Sequence, residues 1–283
     1  MFSPRRMLFP VDFSAPSAAM APWVAAFARH FHAGLTLLHV LPPNALDEHR
    51  QQAQEDLSAF AWPHFSGMST CHAVVEGDPA EEILKYARDQ RTDLIMMPTH
   101  GYGPFRRFFL GSVAERVLRD AACAVWTDVH HELPAGGDYG PPERVGDSDD
   151  LGVKNVVCAV DLSDGSRSAL QWAATFAADM SAKLTIVHAI ARSMPTPELP
   201  VDWTPQMEEA ALEQLQQLQK SVGTDADARV VTGEVSRAVH DAVENVHGDL
   251  LVIGRCPEQG SWARLTDHSY PIVRNAPCPV VSV

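Results

Sequence analysis

From Met7 to Ser14 the chain reads MLFPVDFS, and from Val156 to Ser163 it reads VVCAVDLS. At the same offset Trp23 falls on Trp172, Phe27 on Phe176 and His39 on His188, with no gap needed between Asp12 and Val40. VVEG ending at Gly77 then matches VVTG ending at Gly233, and DLIMMP from Asp93 matches DLLVIG from Asp249, once seven residues are inserted in the second copy. Near the end of each copy, RDAACAV (Arg119 to Val125) matches RNAPCPV (Arg274 to Val280). One fold is written twice. The length of 283 residues agrees, since it suits two ordinary domains better than one large core.

Each copy alternates short apolar, β-branched runs with segments whose apolar residues recur at helical spacing. In the first copy the runs are Met7–Val11, Leu35–Val40, Cys71–Val75, Leu94–Met97 and Ala124–Thr127. Between the first two lies an amphipathic helix carrying Met20, Trp23, Val24, Phe27 and Phe31. Continuous apolar strands separated by helices imply a parallel sheet covered on both faces. The expected fold class is therefore α/β, two repeated doubly wound, Rossmann-like parallel-sheet domains. They would occupy residues 1–129 and 152–283, joined by a linker at 130–151 that contains LPAGGDYGPPERVGDSDD and no apolar period. The seven-residue insertion maps to a second irregular stretch, Arg192 to Pro205, read as a surface loop before a Gln-rich helix near Met207 to Lys220.

Charge and cysteine usage narrow the function classes. A net charge of −14 repels nucleic acid and anionic lipid alike. Cys71, Cys123, Cys158, Cys256 and Cys278 are odd in number and widely spaced, which suits reduced thiols. No apolar run approaches the ~20 residues of a membrane helix, and Pro10 and Asp12 follow Arg5 and Arg6 too soon for a signal-peptide core. A cytoplasmic protein without membrane or nucleic-acid partners is expected.

In an open parallel sheet, ligands bind beyond the carboxyl ends of the strands where strand order reverses. After the fourth run of the first copy comes PTHGYGPFRRFFLGSVAERVL, in which nine residues separate Gly101 from Gly111, and Ser112 opens a helix. Glycines let backbone N–H groups approach an anion, and a helix start favours negative charge. This is the outline of a phosphate cradle. Ser112 with Glu115 also reads as a capping box for that helix. Arg106 and Arg107, within the loop, are read as solvent-facing, and His39 as a packed structural histidine. The second copy keeps Gly254 but places Pro257 at the next glycine position. At the helix start it has Thr266 and Asp267, or Asp267 and His268, depending on the direction of counting. The histidines, HFH at His30 to His32 and the pair His130 and His131, show no ligand spacing, and no metal site is assigned. GxxxxGKS, GxGxxG, SGGxDS and HxGH are all absent.

With these motifs the chain resembles the universal stress protein family, specifically its tandem two-domain members, whose fold is adenine nucleotide alpha hydrolase-like. Nucleotide-binding members carry a glycine, two residues, a glycine, nine residues, then glycine with Ser or Thr, and an Asp after the first strand. Here these are Pro98 in place of the first glycine, Gly101, Gly111, Ser112 and Asp12. Pro98 departs from the pattern, removing a backbone donor. The resemblance implies ATP, with Mg2+ as an accompanying ion, held by Pro10, Val11, Asp12, Val40, Pro98, His100, Gly101, Gly111, Ser112 and Val113. Asp12 would hydrogen-bond the ribose, its other reading being a strand-end turn or helix cap aided by Ser14. Val40 would offer backbone groups to adenine, its other reading being core. His100 fits the family's THG wording and shapes the turn. No nucleotide is expected in the second domain. The implied function is an ATP-binding stress-response or regulatory protein; the alternatives are a ligand-free scaffold and a very slow ATPase, for which no catalytic residue can be assigned. The resemblance also implies an internal pseudo-dimer through the runs AVWT and PVVSV, with a homodimer as a further option.

Overall fold

A computed structural model of the chain describes residues 2–100, 110–128, 151–163, 165–191, 205–255 and 269–283. The chain divides into an N-terminal unit, Ser3–Gly152, and a C-terminal unit, Val153–Val283 with the first two residues. The expected linker and the Pro-rich insert fall almost wholly outside the described residues.

The N-terminal unit runs β1 (Arg6–Pro10), α1 (Ala15–His30), β2 (Gly34–Leu41), α2 (Asp47–Phe65), β3 (Thr70–Glu76), α3 (Pro79–Asp89), β4 (Leu94–Met97), α4 (Ser112–Asp120) and β5 (Ala124–Thr127). Its strands lie in the order β3-β2-β1-β4-β5, all parallel. The doubly wound expectation is met. Right-handed crossovers carry α1 and α2 to one face and α3 and α4 to the other, and α1 packs on α2 as α3 packs on α4. The alternating runs work because both faces are covered: Leu8, Phe9, Leu37, Leu38, Ile95 and Met96 are fully buried. Phe27 of α1 meets Trp126 of β5 edge to face at 5.2 Å, which fills the space beneath the first helix.

The C-terminal unit repeats this with β6 (Asn155–Ala159), α5 (Gly165–Asp179), β7 (Lys183–Ala191), α6 (Pro205–Val222), β8 (Asp227–Gly233), α7 (Val235–Asn245), β9 (Leu250–Ile253), α8 (Ser269–Asn275) and β10 (Val280–Ser282). Strand order is β8-β7-β6-β9-β10, again all parallel. The repetition extends to backbone detail. Helices α1, α3, α5 and α7 each end on a left-handed residue, His32, Arg91, Ser181 and His247, with φ between 50 and 53°. Each unit also ties its β4-type strand to the start of its first strand in the same way. Asp93 accepts the N–H groups of Arg5 and Arg6, as Asp249 accepts those of Lys154 and Asn155.

Candidate functional site

In the N-terminal unit β1 lies between β2 and β4. The connections leaving β1 and β4 depart to opposite faces, so their carboxyl ends open a crevice. Pro10, Val11 and Asp12 stand at the end of β1, Val40 near the end of β2, and Pro98, Thr99 and His100 directly after β4. Neighbouring strands are only ~4.8 Å apart, so these three segments converge at one end of the sheet. Gly111 joins them, its N–H donating to the Thr99 carbonyl at 2.9 Å. Ser112 and Val113 follow as the first two residues of α4. Gly101, Arg106 and Arg107 lie outside the described residues.

Hydrogen-bond parity decides what Val40 presents. The Leu38 carbonyl accepts from Val11 N–H on the β1 side, and the Leu41 carbonyl accepts from Gly77 N–H on the β3 side. Alternation along a parallel strand therefore turns the Val40 N–H and C=O toward β1. The Val11 carbonyl that would meet Val40 N–H is taken instead by His39, whose Nδ1 lies 2.8 Å away and must donate there. Among the described residues no hydrogen bond reaches either Val40 backbone group. A half-buried donor and acceptor, side by side, face the crevice. His39 thus has the structural place expected of it, and by filling one acceptor it leaves Val40 uncommitted.

Asp12 holds the turn into α1. Its Oδ1 accepts from Ser14 N–H at 3.0 Å, Ser14 Oγ at 2.6 Å and Ser17 Oγ at 2.6 Å. Asp161 repeats the arrangement with Ser163 N–H, Ser163 Oγ and Ser166 Oγ at 3.0, 2.6 and 2.7 Å. Phe13 and Leu162 turn the chain between them at φ 61 and 64°. Burial pushes the Asp161 carboxyl up, but the donors around it outweigh that effect and leave it below the ordinary carboxylate range. Of the readings of Asp12, Oδ1 thus makes the strand-end turn aided by Ser14, while the helix cap is Ser14 itself; Oδ2 accepts no hydrogen bond among the described residues, and the residue is exposed. Ser17 was the residue missed from sequence. Its signal was the pattern D-x-S-x-x-S, present at the same place in both copies.

The start of α4 corrects the capping-box expectation. Gly111 is the N-cap, at φ −61° and ψ 139°, and no side chain caps the helix. Ser112 is already the first helical residue and Glu115 the fourth, one position too far along for the reciprocal pair; the Glu115 N–H goes to the Gly111 carbonyl at 2.8 Å. Among the described residues no side chain claims the first N–H groups of α4. A Cβ at Gly111 would stand 3.3 Å from the His100 Cα and from the Thr99 carbonyl, so this position is built without a side chain. His100 turns its Nδ1 to within 3.1 Å of the Thr99 hydroxyl, a contact that shapes the turn. Among the described residues no three His, Cys, Asp or Glu stand together as a metal cage.

The C-terminal unit shares part of this geometry. His188 Nδ1 lies 2.8 Å from the Val160 carbonyl, and Ala189 occupies the place of Val40. It differs at the β9 side. Gly165, where the first copy has Pro16, lies so near that a Cβ there would stand 2.9 Å from the Arg255 carbonyl. Gly254, where the first copy has Pro98, is packed against the Gly165 backbone in turn. Two glycines let helix and strand end touch where the N-terminal unit must accommodate proline Cβ atoms. Helix α8 is described over Ser269–Asn275, and Pro257, Thr266, Asp267 and His268 lie outside the described residues.

A model of the Universal stress protein family matches residues 4–127 and again 152–283. The chain belongs to the universal stress protein family. Its two units are two copies of the family's domain, as the repeat implied. A universal stress protein of Methanocaldococcus jannaschii is 31% identical over 139 residues, covering 43% of this chain and 79% of its own. The crystal structure of a universal stress protein from Archaeoglobus fulgidus shares the fold over 99% of this chain and 98% of its own, at TM-score 0.72 and 21% identity. A structure from Pseudomonas aeruginosa, described as that of a putative universal stress protein, does so over 99% and 93%, at TM-score 0.63 and 16% identity. No described helix is long and apolar enough to cross a membrane.

Proposed function

We propose that this universal stress protein binds ATP in the crevice of its N-terminal unit and acts as a nucleotide-dependent regulatory protein in the response to stress. The observation that carries this reading is the pair of uncommitted Val40 backbone groups, a donor and an acceptor facing one crevice. Such a pair suits the edge of adenine, whose exocyclic amine donates to the C=O while a ring nitrogen accepts from the N–H. Asp12 Oδ2 stands where a ribose hydroxyl could donate to it. The uncapped start of α4, with Gly111, Ser112 and Val113, offers N–H groups and a positive dipole end to phosphates. Pro10, Val11, Pro98, His100 and Gly101 would form the walls.

Base and phosphates are thus received by different elements. The test is titration calorimetry with ATP and with inosine triphosphate, which carries a carbonyl in place of the amine. ATP should bind and inosine triphosphate should bind at least tenfold more weakly, in line with the unpaired buried acceptor the latter leaves at Val40. Equal affinities would remove the assignment of Val40, and no heat with ATP would remove the nucleotide reading.

A further inference from the structure

The phosphate-side helix of the proposed site buries Ala114, Val117 and Leu118 on its inner face and is hydrogen-bonded to α3 by one cation. Among the described residues, the side-chain hydrogen bonds from α4 to the rest of its unit come from Arg116 alone. Its Nη1 donates to Asp78 Oδ1 at 3.0 Å and its Nη2 to Glu81 Oε1 at 2.7 Å. Asp78 is itself the N-cap of α3, accepting the Glu81 N–H at 3.0 Å. One guanidinium fork therefore grips the first turn of α3 while standing in the second turn of α4. A planar fork fixes orientation as well as distance, which a lysine could not do.

The C-terminal unit makes the corresponding helix contact with other chemistry. The residue aligned with Arg116 is Pro271, and the described contacts use other groups: Ser236 Oγ donates to the Pro271 carbonyl at 3.0 Å, Asn275 Nδ2 donates to Ser236 Oγ at 2.8 Å, and His240 Nδ1 lies 2.6 Å from the Asn275 carbonyl. Glu234, aligned with Asp78, spends its carboxylate on the Ser236 and Arg237 N–H groups. The charged fork thus accompanies the glycine-started helix, and in the second copy the aligned Pro271 has no side chain to form it.

We infer that Arg116 is a positioning residue for the phosphates: it touches no nucleotide but sets where the open N–H groups of α4 point. The inference rests on the proposed ATP site. Among the described residues no side chain caps α4, so apart from the Gly111 N–H on the Thr99 carbonyl only the fork directs its first turns through hydrogen bonds, and the dipole effect falls off within one turn. Loss of the fork should therefore weaken triphosphate binding and spare the nucleoside half of the ligand, which lies on β1 and β2.

The experiment measures ATP by calorimetry, and adenosine by competition against a fluorescent adenosine, on the full chain. Arg116→Met should weaken ATP about three- to fivefold, the scale of an exposed but bidentate ion pair, and leave adenosine unchanged. Glu81→Ala should weaken ATP in the unaltered protein and add nothing in the Arg116→Met background, as expected for two ends of one contact. Circular dichroism confirms folding of each variant. An unaltered ATP affinity in Arg116→Met, or equal losses for ATP and adenosine, or additive losses in the double variant, overturns the positioning role while leaving the site intact. Failure of the unaltered protein to bind ATP overturns both.

Discussion

Arg91 and His247 are exposed residues held in the left-handed region, at φ 50 and 51°. The hydrogen bonds around them explain why the chain accepts this. Thr92 N–H reaches the Ala87 carbonyl at 2.8 Å and Arg91 N–H the Arg88 carbonyl at 3.1 Å, closing the end of α3; Gly248 and His247 do the same for α7. This closure normally uses glycine at the turning position. Arg91→Gly should therefore stabilise the protein by about 0.5–1 kcal/mol, the left-handed strain relieved less the extra freedom of glycine in the unfolded chain. Urea unfolding measures it, and a destabilised Arg91→Gly would mean that the side chain contributes more than its exposure suggests. The same residues show why helix ends were hard to place from sequence: the glycine that signals a stop is absent, and only the bonds reveal the turn. Asp12 is the opposite case. Its place after an apolar run and before Ser14 was readable, and so was the choice between turn and ligand; two oxygens on one carboxylate leave room for both.

At the scale of elements, the start of α4 is where binding and folding can be separated. Gly111→Glu would place a carboxylate at the one spot where the helix dipole favours a ligand's negative charge, and a Cβ 3.3 Å from two backbone atoms. ATP binding should be lost altogether, while stability falls by only about 1–2 kcal/mol, the usual scale of modest overpacking. Calorimetry and thermal unfolding on the same preparation check this pair of outcomes; retained ATP affinity in a folded Gly111→Glu protein would displace the site. The sequence marked this helix by GSVAERVL, but it misassigned the cap by one residue. Ser is the commoner cap, and local preference favoured it. Gly111 takes the position because its N–H is drawn to the Thr99 carbonyl across the loop, a contact that no nearest-neighbour rule contains.

For the whole molecule, the net charge of −14 opposes the approach of a triphosphate at long range. In the proposed site, capture then depends on the short-range partial charges at the start of α4. In the C-terminal unit the strand position of Val40 recurs at Ala189, but Gly165 and Gly254 pack together where the N-terminal unit carries Pro16 and Pro98. ATP should accordingly titrate to one equivalent per chain. Two equivalents would show that the close approach of α5 to β9 does not exclude the ligand.

The sequence by itself determined that one parallel α/β domain occurs twice, and which segments form its strands and first helices. These follow from apolar period, chain direction and turn chemistry, all of which act between near neighbours. It also singled out Asp12, Gly111 and the PTHG segment, because a phosphate loop needs glycine spacing that a linear pattern can show. Only the tertiary structure decided that Val40 turns its backbone toward β1, since that depends on which strand lies on which side and on His39 occupying the Val11 carbonyl. It alone decided that Gly111 and not Ser112 caps α4, that Arg116 forks onto α3, and that Gly165 closes on Arg255. Each of these is a contact between segments far apart in the chain, and its direction is set by strand order and not by composition.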